Sequence, residues 1–333
     1  MKALFSFLAV VVLIMVAIFG GTVTDTQYLF GIIIPYLAFV IFVGGFVYRV
    51  IKWGISPVPY RIPTTCGQQK SLPWIKQDKL DNPSSTLGVI GRMALEIFLF
   101  RSLFRNLKTE LTEGTNGPKL SYGSAKWLWV GSLVFHWSFL IIVFRHLRLF
   151  LDPVPHAVQV ADWLDSILQI GLPPIYLTDL FFLLAVTFLL VRRFVVPQVK
   201  YISLAADYFP LFMILSIGVS GMLMRYFYKV DIIAIKEFLI GLTQLHPVLP
   251  VGVGSIFYVH LFLISILFAY FPMSKLMHAG GIFMSPTRNM ANNSRMVRHI
   301  NPWNHAVELH SYAEYEDEFR EKMKKAGIPV EKE

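Results

Sequence analysis

The stretch WLWVGSLVFHWSFLIIVFRHLRLF, Trp127–Phe150, is apolar over a length that can cross a lipid bilayer. It carries two histidines, His136 and His146, which are ten residues apart. An ionisable side chain inside a membrane span is energetically costly, so each of these residues is a candidate for a function.

A second apolar stretch, Gly254–His278, carries His260 within it and His278 at its end. One histidine at the end of a membrane helix is more often an ordinary interfacial residue than a ligand. Four histidines on two such helices are harder to explain in that way. Paired imidazoles on two helices are what two haem groups need as axial ligands, so the pattern predicts a dihaem protein.

Composition also indicates a membrane protein. The chain has 333 residues, of which 55% are hydrophobic and only 15% are charged, against about 25% charged residues in soluble domains. The net charge of +9 is explained by basic loops on one side of a membrane, and no nucleic-acid partner is expected. The single cysteine, Cys66, excludes an intrachain disulfide and a cysteine-ligated iron–sulfur cluster. A redox group bound here must therefore use histidine or methionine ligands.

The hydropathy pattern predicts an all-α polytopic membrane protein with six spans and three regions. The predicted spans are Ala3–Gly20, Tyr28–Ile51, Trp127–Phe150, Ile175–Val196, Ala206–Tyr228 and Gly254–His278. The regions are an N-terminal helix with a short link (1–27), a cytochrome b-like membrane domain (28–278, with the polar loop 52–126) and a polar tail (279–333). The first span lacks a clear A-x-A cleavage site, so we expect a retained helix.

Basic residues fix the expected orientation. Lys and Arg concentrate in Lys52–Lys126, Arg192–Lys200 and the tail, whereas Leu151–Pro174 is acidic. The positive-inside rule then places both termini in the cytoplasm, in a multi-pass protein of the cytoplasmic membrane. Helices outside the bilayer core are expected at Leu87–Leu107, Ile232–Leu245 and Glu308–Ala326.

With this topology the two histidine-bearing spans are antiparallel. His136 then pairs with His278 on the inner side, and His146 pairs with His260 on the outer side. A helical rise places His136 and His146 about 15 Å apart, whereas the other two histidines would be about 27 Å apart in an unbroken helix. Pro272 is expected to kink that helix and to absorb part of the mismatch.

Other polar residues have less specific interpretations. The remaining histidines lie in polar segments and are not expected to be ligands: His156, His246, His299, His305 and His310. Arg145 and Arg148, near the outer surface, are candidates for the vicinity of a quinone site or for pairing with haem propionates. The alternative for both is anchoring to lipid headgroups. Small residues at Ser216, Gly218, Ser220 and Gly221 would let a porphyrin or another helix approach the fifth span.

The histidine arrangement resembles the gamma (cytochrome b) subunits of respiratory nitrate reductases over Tyr28–His278. Three further motifs resemble more specifically the DsrM family, the dihaem membrane subunits of the Dsr complex of sulfur-metabolising prokaryotes. These motifs are PYRIPTTCGQQKSLPW (Pro59–Trp74), GRMALEIFLFRSLFRN (Gly91–Asn106) and NPWN (Asn301–Asn304).

The resemblance implies an electron-transfer subunit of a quinol-dependent oxidoreductase complex. It implies two haem b groups, menaquinol chemistry near the outer haem, and electron exchange with a cytoplasmic iron–sulfur subunit similar to heterodisulfide reductase (DsrK-like). It also implies three further partners: a periplasmic multihaem cytochrome c, a periplasmic iron–sulfur protein and a second quinone-interacting membrane subunit. The direction of electron flow is left open.

Three other functions remain as alternatives at this point. The first alternative is a gamma-type subunit of another respiratory enzyme, such as nitrate reductase. The second is a proton or ion transporter, and the third is a structural anchor. A transporter would need acidic partners for the histidines at membrane depth, and the spans offer only Asp179 and Asp207, near their ends.

Overall fold

In a computed structural model of the protein, the described residues are 1–57, 67–114, 117–166, 173–296 and 308–332. Cys66, the first part of the Pro59–Trp74 motif and the whole NPWN motif lie outside these ranges, as do His299 and His305.

Helices dominate the described residues. They are α1 Lys2–Thr22, α2 Thr24–Tyr28, α3 Ile34–Gly54, α4 Thr86–Leu99, α5 Arg101–Phe104, α6 Lys126–His146, α7 His156–Asp165, α8 Leu177–Val195, α9 Pro197–Ile202, α10 Ala205–Met222, α11 Ile232–Thr243, α12 Ser255–Tyr270, α13 His278–Met284, α14 Pro286–Asn289 and α15 Tyr312–Lys325. Wider π turns at Leu29–Ile33 and Leu223–Tyr228 join α2 to α3 and extend α10, and tighter 3₁₀ turns cover Leu147–Leu149, Phe271–Met273 and Lys275–Met277.

Within the described residues, five helical stretches are long and apolar enough to cross a membrane. These are Lys2–Thr22, Thr24–Gly54, Lys126–Leu149, Ala205–Tyr228 and Ser255–Met273. Each corresponds to one of the six predicted spans. The remaining prediction corresponds to α8, which has 19 residues, carries charged side chains near both ends and packs alongside α6 and α10. The total of six spans therefore stays a prediction that depends on α8.

Contacts between helix ends show that the long helices alternate in direction. Ser6, in the first turns of α1, donates a hydrogen bond to the carbonyl of Ala205 at the start of α10 (2.8 Å). At the opposite end of α1, Gly21 packs so closely on α12 that a Cβ there would lie 2.9 Å from Cβ of Tyr258. We call the end that carries α4 the basic end, and the end that carries α7 the acidic end.

The centre of the bundle is α12. Its residues Tyr258 and Leu263 are fully buried, and they belong to one apolar cluster with Ala17 of α1, Val186 of α8 and Met213 of α10. The outward faces of the same helices expose many large apolar side chains. An apolar exterior of this extent is the surface that a bilayer covers.

The polar loop after α3 contains a predicted helix, which the structure shortens, and an unpredicted hairpin. The surface helix predicted over Leu87–Leu107 is interrupted at Phe100 (φ 49°, ψ 47°), which divides it into α4 and the short α5. The 14 residues of α4 are fewer than the roughly 20 that a crossing helix needs. Strands β1 Leu107–Gly114 and β2 Gly117–Ser124 follow and form an antiparallel hairpin. The mainly helical fold is confirmed, and this hairpin is an addition to the all-α prediction. Gly114 and Gly117, with two residues between them in sequence, were the signal for it.

Arg92 of α4 ties this loop to the segment after the last span. Its side chain is buried (1% exposed), and its guanidinium donates to the carbonyls of Asp81 (3.1 Å), Arg288 (2.6 Å) and Met290 (3.0 Å). These three carbonyl acceptors pair both terminal nitrogens of the buried guanidinium and offset part of the cost of burying it. Residues more than 190 positions apart are thereby held together at the basic end.

A pair of buried asparagines reinforces this junction. The amide of Asn292 donates to Oδ1 of Asn82 (2.7 Å), and its backbone N–H donates to the carbonyl of Pro83 (2.7 Å). The basic end is therefore an ordered polar structure rather than a solvated loop.

We predict that Arg92→Met will loosen this junction, because the three carbonyls will lose their buried donor. The local cost is on the order of 3 kcal/mol, given about 1.5–3 kcal/mol for a hydrogen bond to a charged group. Limited proteolysis should then cleave residues 279–296 faster than in the unaltered protein. Lys108→Ala on the exposed strand β1 is the control. Equal cleavage rates in both variants would show that Arg92 does not join the two segments.

Candidate functional site

The structure brings His136 of α6 and His278 of α13 together. Their ring centres are 6.0 Å apart, and the ring planes are nearly perpendicular, at 88°. The two residues are far apart in sequence and lie on different elements. The pair that the antiparallel arrangement predicted is thus in place at the basic end.

A break in the chain after α12 makes this contact possible. Helix α12 ends at Tyr270, and Pro272 lies in the 3₁₀ turn that follows. Ser274 is then extended (φ −111°, ψ 176°) before the chain turns into α13. The helix expected to run through His278 is therefore interrupted eight residues earlier, because proline cannot continue the hydrogen-bond ladder.

The break also removes the length mismatch between the two histidine-bearing segments. Ten helical residues separate His260 from Tyr270, which is a rise of about 15 Å, the same as between His136 and His146. Beyond Tyr270 the chain no longer advances as one straight helix. His278 therefore returns to the level of His136 instead of lying about 27 Å from His260.

Close packing holds this turn against α3. A Cβ on Gly45 would lie 2.6 Å from Cβ of Pro272, and a Cβ on Gly280 would lie 3.2 Å from the ring of Phe46. Lys275 is anchored by an ion pair with Asp207 of α10 (2.6 Å). The absence of side chains at these glycines allows α3 to support the segment that carries His278.

The second pair lies toward the acidic end. His146 ends α6, and His260 lies in the second turn of α12. The two residues are near enough for an electrostatic interaction. Gly221 of α10 packs against the imidazole of His260, since a Cβ there would lie 3.2 Å from Cε1.

All four histidines use Nδ1 for a hydrogen bond within the protein. The partners of Nδ1 are the carbonyls of Ser132 for His136 (2.7 Å), of Ile142 for His146 (2.7 Å) and of Lys275 for His278 (2.9 Å), and the hydroxyl of Ser220 for His260 (2.9 Å). A carbonyl can only accept, so Nδ1 carries the proton and Nε2 carries the lone pair. In the described residues Nε2 of each histidine makes no hydrogen bond. An imidazole held in this way presents Nε2 to a metal.

The separation of the first pair fits one shared metal. An imidazole nitrogen lies about 2.0 Å from a bound transition metal, with the ring centre about 1 Å behind it, so two imidazoles on opposite sides have centres about 6 Å apart. The 6.0 Å between His136 and His278 matches this value. The described residues contain no group of three or more His, Cys, Asp or Glu suited to a metal ion. Haem iron takes only two ligands from the protein, which is the size of each pair.

Arg145, beside His146, lies in a buried ionic cluster. Its side chain is 5% exposed and pairs with Asp165 (2.9 Å) and Asp179 (2.9 Å), with Asp162 further away (3.8 Å). The guanidinium also lies over the ring of Tyr176, 3.6 Å from its centre. The sequence predicted a quinone-site or propionate role for this arginine, and the structure places it among aspartates of α7 and α8.

Arg148 belongs to the exposed side of the same cluster. It donates to both carboxylate oxygens of Asp162 (3.0 and 3.2 Å) and to the hydroxyl of Tyr176 (3.0 Å). Arg225, in the π turn after α10, also lies over the Tyr176 ring, with its guanidinium carbon 3.9 Å from the ring centre. The hydroxyl of Tyr226 in that turn donates to Asp179 (3.0 Å). The cluster therefore joins α6, α7, α8 and the end of α10.

Sequence reasoning missed most members of this cluster. Tyr176 and Tyr226 carried no spacing that marked them. Outside the cluster, Ser220 beside His260 was noted only as a small residue. The acidic segment with Asp162 and Asp165 was the available signal. An arginine buried nearby needs such carboxylates as partners.

We predict that Arg145→Ala will be much more destabilising than Arg148→Ala. The first change leaves two buried aspartates without their cation, which costs about 3–5 kcal/mol. The second removes a partly exposed ion pair, worth about 1 kcal/mol or less. Thermal unfolding of the detergent-solubilised variants measures the difference. Similar melting temperatures for the two variants would contradict the central position of Arg145.

The fold and the site define a polytopic helical membrane protein with paired histidines on antiparallel elements. The family model described as nitrate reductase gamma subunit matches residues 87–299, more than half of the chain. The chain therefore belongs to the nitrate reductase gamma subunit family.

Two curated relatives extend the similarity to most of the chain. The chain is 45% identical over 285 residues to the "Hdr-like menaquinol oxidoreductase cytochrome b-like subunit" of Archaeoglobus fulgidus, which covers 84% of each protein. It is 40% identical over 283 residues to the protein of the same description in Archaeoglobus profundus, which covers 83% of each.

Proposed function

We propose that this chain is a membrane cytochrome b subunit that binds two haem b groups and transfers electrons between menaquinol and a cytoplasmic iron–sulfur subunit. The proposal rests on the positions and the hydrogen bonds of the four histidines. The rings of His136 and His278 lie 6.0 Å apart, His146 and His260 lie toward the other end of the bundle, and each of the four rings is held at Nδ1, which leaves Nε2 for a metal. The description of both relatives as cytochrome b-like subunits supports the same function.

The residues of each pair have a defined task. His136 and His278 hold the haem on the cytoplasmic side, and His146 and His260 hold the haem on the outer side. Haem iron supplies one-electron transfer when it is bound. Haem held by two imidazoles would pass electrons and would offer no ligand position to oxygen. The Nδ1 acceptors fix the rings, and the apolar spans exclude water.

Quinol chemistry is assigned to the acidic end. Quinol oxidation releases protons as well as electrons, and the exposed members of the cluster lie here. The side chains of Arg148 and Asp162 are 28% and 30% exposed and border a cavity of about 430 Å³. The vicinity of Arg145 and Arg148 therefore remains the predicted quinone region, with Arg145 acting through the cluster. The names of both relatives support menaquinol as the quinol.

The names of the two relatives also indicate the kind of complex that we propose for this chain. "Hdr-like" in both relatives supports a cytoplasmic partner similar to heterodisulfide reductase and favours it over a nitrate reductase. A Dsr-type complex with periplasmic cytochrome c, a periplasmic iron–sulfur protein and a second membrane subunit is the finer form of this proposal. Basic loops then lie in the cytoplasm with both termini.

The hydrogen bonds favour electron transfer over a proton relay. A relay through the histidines would pass protons between imidazoles and carboxylates at membrane depth. Within the described residues, the partners of the four imidazoles are three carbonyls and one hydroxyl, and none is a carboxylate.

The first test is the haem content of the purified full-length protein. We predict two b-type haems per polypeptide in a reduced-minus-oxidised spectrum combined with haem quantification. His146→Ala and His260→Ala should each lower the content to about one, because each removes an axial ligand of the same haem. His246→Ala, in the polar segment after α11, is the control and should retain two. A folded wild-type protein without haem would refute the proposal and reopen the proton path.

The polar tail is proposed to contact the iron–sulfur partner. We predict that deleting Asn301–Glu333 will release that subunit during purification of the complex while both haems remain, since all four ligands precede the deletion. Co-purification and haem quantification measure the two effects separately. A complex that stays whole would show that the contact lies elsewhere.

A further inference from the structure

The hydrogen bond of His260 differs in kind from those of the other three histidines. His136, His146 and His278 bond to main-chain carbonyls three or four residues earlier in their own segments. His260 bonds to a side chain of another helix, the hydroxyl of Ser220 on α10, 40 residues away in sequence. The orientation of this one imidazole therefore depends on a side chain that another residue could replace.

The oxygen of Ser220 lies 2.9 Å from both the carbonyl of Ile217 and Nδ1 of His260. A hydroxyl has one proton, and when it donates that proton to the carbonyl, which can only accept, a lone pair is left for Nδ1–H of His260. Ser220 is 4% exposed, so water does not compete for this position. The Ile217 carbonyl also interacts with the imidazole. Nδ1–H of His260 is thus the donor, and Nε2 is left with its lone pair.

The neighbouring residue keeps α10 close to the ring. Gly221 lets the helix backbone approach His260, because any Cβ there would lie 3.2 Å from Cε1. One and a half turns further on, Tyr226 bonds to Asp179, which pairs with Arg145 beside His146. One side of α10 therefore contacts His260, and its end is connected to the neighbour of His146.

We propose that Ser220 is a positioning residue that orients His260 and sets the reduction potential of the outer haem, an inference that rests on the proposed function. A hydrogen bond accepted from Nδ1 makes the imidazole a stronger donor at Nε2. A stronger donor stabilises the oxidised iron and lowers its potential, and hydrogen bonding near the ligand is one of the means by which proteins tune haem. The backbone acceptors of the other three histidines cannot be changed by substitution, whereas this one can.

The test is a redox titration of the full-length, haem-loaded protein, followed by optical spectroscopy. The component that disappears in His146→Ala identifies the outer haem. Ser220→Ala should shift the midpoint potential of that component upward and leave the other unchanged. Ser220→Thr keeps a hydroxyl that can bond both groups, so it should restore the wild-type value.

A matched control lies on the same helix as His260. Ser265 is also buried (3% exposed), and its hydroxyl donates only to the carbonyl of Leu261 (2.8 Å). Ser265→Ala removes a buried serine hydroxyl without touching an imidazole, so neither potential should move.

The outcomes separate this inference from the proposed function. Unchanged potentials in Ser220→Ala would assign the role to the Ile217 carbonyl and overturn the inference, as would an equal shift in Ser265→Ala. Selective loss of the outer haem in Ser220→Ala, with retention in Ser220→Thr, would support it. Wild-type protein without haem would instead overturn the proposed function itself.

Discussion

The structure depends on how an imidazole is satisfied inside an apolar span. A buried polar nitrogen without a partner is costly where no water is present. In α6 the carbonyls of Ser132 and Ile142, each one turn before a histidine, accept Nδ1–H and orient both rings. Nε2 then cannot be satisfied by the same helix. A metal shared by two such nitrogens would be that partner, and under the proposed function this need explains why the histidine-bearing segments come together in pairs.

A straight α12 could not meet this requirement at both ends. Ten residues separate the histidines of α6, and eighteen separate those of the other segment. One continuous helix would therefore carry His278 past the level of His136. The chain solves this by ending α12 at Tyr270 and turning through Pro272 and Ser274. The turn is stabilised by packing against α3, where a Cβ on Gly45 would lie 2.6 Å from Pro272 and a Cβ on Gly280 would lie 3.2 Å from Phe46. The position of His278 is thus a result of tertiary packing and not of helical periodicity.

This explains what sequence could and could not predict. Hydropathy predicted the apolar spans, and antiparallel order predicted the histidine pairs, because both depend on local composition and spacing. The contacts that the sequence did not predict join partners distant in sequence. Arg145 was predicted near a quinone site or at lipid headgroups, and its aspartates lie up to 34 residues away. Arg92 lay in a helix predicted outside the bilayer core, and two of its three acceptors are Arg288 and Met290. No local pattern encodes such contacts.

Ion pairs stabilise the acidic end of the bundle, whereas close packing and carbonyl contacts stabilise the basic end. The difference follows from the histidines that each end positions. At the acidic end, His146 and His260 lie on long helices, so their separation is fixed by fixing the helices. The cluster around Arg145 does this, joining α6, α7, α8 and the turn after α10 by directional ion pairs. Such a cluster is expensive to bury and adds little net stability, but it allows few alternative arrangements. At the basic end, His278 lies on a short helix after a turn. There, shape complementarity to α3 and the carbonyl contacts of Arg92 define the path of the chain itself.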